Sequence, residues 1–94
     1  MEERIKNVLI ERCNYSEVEA RETAKDICSF SSEDLRDAVR QWVYTGEYVD
    51  VHEGKYTVRG LMKNHSFEYP AALVFIDWYR DSPKEAEASL PWMR

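Results

Sequence analysis

The chain has 94 residues, 33% of them charged and 44% hydrophobic, with a formal net charge of −5. That length fits one small domain, residues 1–94, burying about 60–65% of its unfolded surface. The composition excludes a disordered chain, and the acidic balance disfavours non-specific binding to nucleic acid or anionic lipid.

Residues 3–13 place Ile5, Val8, Leu9 and Cys13 at helical spacing, with Ile10 widening the stripe. The opening Met1–Arg4 is charged and has no apolar core behind it, so neither a secretory peptide nor a membrane anchor is expected. Asn14 and Tyr15 interrupt the first helix. Ser16 and Glu19 then read as a capping box, each side chain satisfying the other's backbone N–H. Ala20, Ala24 and Ile27 form the inner face of the second helix, with Val18 or Thr23 at its margin.

Ser31 or Ser32 caps a third helix, and Glu33 and Asp34 suit its positive end. Leu35, Ala38, Val39, Trp42 and Val43 fall at i, i+3, i+4, i+7 and i+8, the strongest periodicity in the chain. Gly46 terminates it, since glycine takes positive φ without steric cost.

The period then changes. Residues 48–52 alternate, and residues 55–58 can pair with them across a turn at Glu53 and Gly54. A short hairpin near residues 48–58 is expected, and it must lean on a helix to be stable. Thr57 can cap a fourth helix carrying Val58, Leu61, Met62 and His65.

Residues 70–79 are apolar on nearly every side when wound as a helix, which marks a buried one. Ten residues are about half of what a bilayer requires, so this is a core helix, and the other elements should be arranged around it. Pro70 suits its first position and Pro83 its end. Ser82 and Glu85 repeat the capping logic for a last helix with Ala86 and Leu90 inward. Trp92 and Met93 are expected to fold back onto the core. The expected fold is mainly α: a compact bundle of five to six short helices with one hairpin.

The residues from Leu9 to Tyr15, the run Ser16–Ala20 with Ala24, and the pairs Ala38-Val39 and Trp42-Val43 resemble a ubiquitin-associated (UBA) three-helix domain over residues 3–45. Cys13, Asn14 and Tyr15 stand where that family has a Met-Gly-Phe/Tyr loop. The resemblance implies a small helical architecture that binds other proteins. The loop glycine is replaced by Asn14, the best non-glycine residue for positive φ. The loop methionine that meets ubiquitin in the family is Cys13, so the resemblance implies protein binding more than ubiquitin as the ligand. The domain plan is then a UBA-like part over 3–45, a hairpin over 48–58 and a C-terminal helical part over 58–90.

No residue set here has the spacing of a known catalytic or metal site. His52 and His65 are not an i, i+4 pair, and Cys13 and Cys28 lie far from them in sequence, so no metal site and no cofactor are expected. The two cysteines have no Cys-x-x-Cys spacing and read as free buried thiols suited to a reducing cytoplasm. Cys28 lacks a neighbouring cation to lower its thiol pKa. Asp37, Asp77 and Glu85 are candidate carboxylates. Asp77 is the most notable, because it interrupts the apolar helix; emergence at the one solvated stripe, or pairing with Arg80 or Lys84, accounts for it without a functional role. The glycines at 46, 54 and 60 form no phosphate loop.

Helices followed by a hairpin also suggest a winged helix, with residues 32–44 reading DNA through Arg36 and Arg40. Those cations are offset by Glu33, Asp34 and Asp37, whereas phosphate binding needs clustered Lys or Arg.

The aromatic residues carry the functional expectation. Tyr44, Tyr48, Tyr56, Phe67, Tyr69, Tyr79 and Trp92 are many rings for a small core, and each buries about 150–250 Å² when covered. Tyrosine is favoured at contact centres. A face formed by Tyr44, Tyr48, Tyr56 and Tyr69 is the expected partner-binding site. The expected function is a non-catalytic, acidic, cytoplasmic protein-binding, adaptor or inhibitor module. Its partner is another protein or a second copy. The alternative is a winged-helix nucleic-acid-binding regulator.

Overall fold

A computed structural model describes residues 1–92, with only the backbone of Trp92. The expected fold-back of Trp92 and Met93 therefore lies outside the described side chains. The described chain is mainly α, with six α-helices, one two-stranded hairpin and a closing 3-10 turn at Leu90–Trp92. It divides into two compact units, Met1–Val49 and the part from Asp50 onward.

The first unit is a trio of helices: α1 (Glu2–Cys13), α2 (Glu17–Cys28) and α3 (Glu33–Thr45). Ile5, Val8 and Leu9 of α1, Ala20, Ala24 and Ile27 of α2, and the five apolar residues expected on α3 are all buried. Each fully buried large aliphatic side chain contributes about 1.5–3 kcal/mol relative to exposure. Val18 is 62% exposed and lies off the inner face, leaving Thr23 as the half-buried margin.

The helix ends follow from local chemistry. α1 stops at Asn14, whose φ of 58° is left-handed, and the Tyr15 N–H donates to the Leu9 carbonyl at 3.3 Å. At α2 the capping box forms: the Glu19 N–H donates to Ser16 Oγ at 3.2 Å, and the Ser16 N–H to Glu19 Oε1 at 3.3 Å. Ser32 is the N-cap of α3 without a side-chain bond, and Asp34 Oδ1 accepts the Leu35 N–H at 2.9 Å. Gly46, at φ 78°, ends α3 and donates its N–H to the Trp42 carbonyl at 2.9 Å.

The second unit opens with β1 (His52–Glu53) and β2 (Tyr56–Thr57), antiparallel with His52 opposite Thr57 and Glu53 opposite Tyr56. The strands are shorter than the alternation over 48–52 suggests. Residues 48–51 form no ladder, because Val51 and Asp50 serve the next helix instead. That helix is α4 (Val58–His65). The Val58 N–H donates to the Val51 carbonyl at 2.9 Å, the Arg59 N–H to Asp50 Oδ1 at 3.1 Å, and the Gly60 N–H to Thr57 Oγ1 at 2.9 Å. Three otherwise orphaned donors at the helix start are thereby satisfied. The hairpin loop is Gly54-Lys55, one residue later than expected, with Gly54 at φ 58°.

Helix α4 ends at Ser66, a second left-handed residue at φ 58°. α5 (Tyr69–Asp81) follows, with Glu68 as its N-cap, so Pro70 occupies the second helical position rather than the first. No residue from 69 to 80 is exposed, as expected for a helix apolar all round. Tyr69, Leu73, Phe75 and Ile76 are each 1% accessible or less. α6 (Pro83–Ser89) closes the unit and buries Ala86. The expected capping box at Ser82 does not form, because Ser82 Oγ donates to Asp81 Oδ2 at 3.2 Å instead.

Candidate functional site

The aromatic residues separate by environment. Tyr44, in the last turn of α3, is 58% exposed, and Tyr48, in the segment that follows, is 54% exposed. They are the only exposed Phe, Tyr or Trp side chains among those described. Helix α3 fixes the position of Tyr44. Trp42 and Val43 anchor it inward, so the next residue on the turn faces out. The Arg4 guanidinium lies over the Tyr44 ring, 4.8 Å from its centre. That cation–π contact holds the ring while leaving much of it accessible.

The end of α3 is also held by Arg12. Its Nη1 donates to the Trp42 carbonyl at 2.6 Å and its Nη2 to the Val43 carbonyl at 3.2 Å. A cation belongs there, since the C-terminal carbonyls carry the negative end of the helix dipole. Arg12 escapes sequence reasoning because the partner carbonyls lie 30 residues downstream and backbone acceptors have no sequence signature.

Tyr56 and Tyr69 serve the second unit from within. Tyr69 is 1% accessible, which removes it from any contact face. It begins α5, and that helix exposes no side. Phe67 is also buried. Tyr56 is half-buried and packs edge-on against Phe75 at 5.2 Å and Tyr79 at 5.0 Å between ring centres. Its hydroxyl donates to Glu87 Oε2 at 2.8 Å. Lys55 Nζ meets the same oxygen at 2.6 Å. From α5, Arg80 Nε donates to Glu53 Oε1 at 2.8 Å and Nη2 donates to the His52 carbonyl at 3.2 Å. The hairpin is thus fastened by α5 and α6. Four expected contact residues become two exposed ones in the first unit and two structural ones in the second.

The charged cluster at Glu87 is electrostatically consistent. Hydrogen bonds from Lys55 and then Tyr56 hold the Glu87 carboxyl below its ordinary range. The bond to Glu87 raises Lys55. Desolvation, and then the bond to Glu87, raises the Tyr56 phenol. All three shifts run away from neutrality, so the cluster keeps its charged and hydrogen-bonded form at pH 7 and positions the hairpin.

The remaining candidates are dispersed. Cys13 is half-buried and Cys28 exposed, which corrects the expectation of two buried thiols. Cys28 lines a surface groove, where desolvation and then the Glu2 carboxylate push its thiol up. A raised thiol is the opposite of an activated nucleophile. His52 is exposed and His65 is half-buried, its ring 6.1 Å from that of Phe67. Among the described residues, no group of three or more His, Cys, Asp or Glu side chains is placed to hold a metal ion. Asp37 pairs with Arg40 one turn on, Asp77 is half-buried on α5, and Glu85 is exposed. No helix among the described residues is long and apolar enough to cross a membrane.

Comparison of the chain with protein-family models, curated proteins and solved structures gives no match.

Proposed function

We propose that the chain is a small acidic protein-binding module, acting as an adaptor or as an inhibitor of a partner, without catalytic activity of its own. The carrying observation is the pair of exposed rings, Tyr44 and Tyr48, at the end of α3. Tyrosine supplies a large contact area at low conformational cost, and it concentrates at contact centres. The three-helix first unit with its left-handed loop residue Asn14 supports the same reading by its resemblance to a UBA-type domain. Fold resemblance adds a class of activity and does not specify a ligand. A partner protein or a second copy of the chain would meet this end of α3. The two free thiols suit a reducing cytoplasm.

Charge weighs against the winged-helix alternative. The net charge is −5, and Arg40 of the would-be reading helix is paired with Asp37. The test joins three measurements. Light scattering reports self-association. Capture of a partner by immobilised protein is compared with capture by the Tyr44→Ala/Tyr48→Ala double variant. A mobility shift with duplex DNA at low salt completes the set. The proposal expects the double variant to keep its helical spectrum and lose capture or self-association at least tenfold. A salt-sensitive DNA shift, or capture indifferent to both substitutions, would overturn it.

A further inference from the structure

A groove of about 230 Å³ opens on the surface of the first unit, where the start of α1, the end of α2 and the middle of α3 meet. Its apolar part is formed by Ile5, Ile27 and Val39 with Met1, and Cys28, Arg36 and Arg40 complete the lining. The two arginines are one helical turn apart on α3, so they stand on the same side of that helix. Arg36 is exposed, and none of its side-chain nitrogens makes an ion pair or hydrogen bond among the described residues. Arg40 shares its charge with Asp37. The charged side chains lining the groove are both cations, in a chain whose net charge is −5. The volume suits one large side chain rather than a cofactor, which needs a cleft of about 300–1,000 Å³.

We infer that this groove receives an acidic peptide segment of a partner protein. One aliphatic or aromatic side chain of the segment seats against Ile5, Ile27 and Val39. A flanking carboxylate is held by Arg36 and Arg40. The inference rests on the protein-binding reading and adds the chemistry of the partner. Arginine suits the role, because its planar fork matches a carboxylate with two parallel donors. The apolar pocket supplies the anchor, and the charges select its neighbours. Nucleic acid offers no comparable apolar side chain, and lipid headgroups present no single anchor of this size.

The probe is a blocked hexapeptide, Glu-Glu-Leu-Phe-Glu-Glu, titrated into the whole chain at about 50 mM salt and followed by amide chemical shifts. The expected result is saturable movement of the Ile27, Arg36 and Val39 amides. It should be at least fivefold weaker for the peptide with lysine in place of each glutamate, and for the peptide with glycine in place of Leu-Phe. The Arg36→Gln/Arg40→Gln variant should weaken binding at least fivefold with an unchanged circular dichroism spectrum, since glutamine is a good helix former. Bound peptide should also slow maleimide alkylation of Cys28 while leaving Cys13 as an internal control. Shifts that bypass the groove, equal binding of the lysine peptide, or indifference to the double glutamine variant would overturn the inference. If the peptide fails while Tyr44 and Tyr48 still control partner capture, the groove proposal falls and the protein-binding reading stands.

Discussion

Arg12 closes the end of the helix that carries Trp42. Its guanidinium takes the Trp42 and Val43 carbonyls together and lies 5.7 Å from the centre of the Trp42 ring. One side chain of α1 therefore stabilises both the backbone end of α3 and the face of its largest buried residue. Arg12→Ala should lower the unfolding free energy by about 1.5–3 kcal/mol, the range for hydrogen bonds to a charged group. Arg12→Lys should recover part of that loss, because it keeps the charge and gives up the fork. Urea unfolding followed by circular dichroism measures both, and equal stability of Arg12→Ala and the parent would refute the capping role.

Trp42 is 1% accessible and Tyr48 is 54% accessible, so the same truncation should have opposite outcomes. Trp42→Ala should cost about 3–5 kcal/mol, enough to unfold a marginal small domain. Tyr48→Ala should stay within about 0.5 kcal/mol of the parent. Urea midpoints ranked the other way would mean that inside and outside had been exchanged.

Gly54 combines a left-handed φ of 58° with a close neighbour. A Cβ there would lie 3.3 Å from the Tyr79 hydroxyl oxygen and 3.4 Å from Cε1 of the same ring. Gly54→Ala should therefore cost about 1–2 kcal/mol from the backbone alone, with crowding added. In a Tyr79→Phe background the penalty should shrink, since the nearest atom has gone. Thermal unfolding of the four proteins of that cycle separates the two contributions, and an unchanged penalty would assign the whole effect to φ.

The cluster of Lys55, Tyr56 and Glu87 gives stability a pH window. Glu87 is depressed when folded, so its contribution is present above its ordinary value of 4.5 and is lost as pH falls through the folded value. Lys55 and Tyr56 are raised, so theirs are present below 10.5 and 10.0 respectively and are lost as pH rises through the folded values. Both limbs should flatten in Glu87→Gln, because one carboxylate serves both partners. The effect should be small, since Lys55 and Glu87 meet at the surface. Chemical unfolding at a series of pH values measures it, and parallel curves for the two proteins would remove the cluster from the account.

Much of this architecture is readable from residue order. The inner face of α3, the Ser16–Glu19 box, the Thr57 cap and the enclosed helix from Tyr69 all depend on neighbours within a turn or two. Periodicity and capping chemistry report such neighbours directly. What depended on distant partners was not legible. The alternation before His52 resembles a strand, yet Asp50 and Val51 are taken by the donors of α4. Tyr69 and Tyr44 are the same residue type near helix ends, and only packing decides that the first is hidden and the second exposed. The roles of Arg12 and Glu87 have no local signature, because the groups they hold lie about 30 residues away in the chain. The groove beside Arg36 and Arg40 had no signature either, since its apolar part is drawn from three helices.

Two helices end on left-handed residues that are not glycine, Asn14 and Ser66, both at φ 58°. Ser66 carries a steric burden of about 1 kcal/mol that a residue without Cβ would shed, and Asn14 a smaller one. Neither position lies in α3 or in the segment that carries Tyr48. The fold thus leaves room for thermal hardening at two marked joints, through glycine substitutions that leave its contact chemistry as it is.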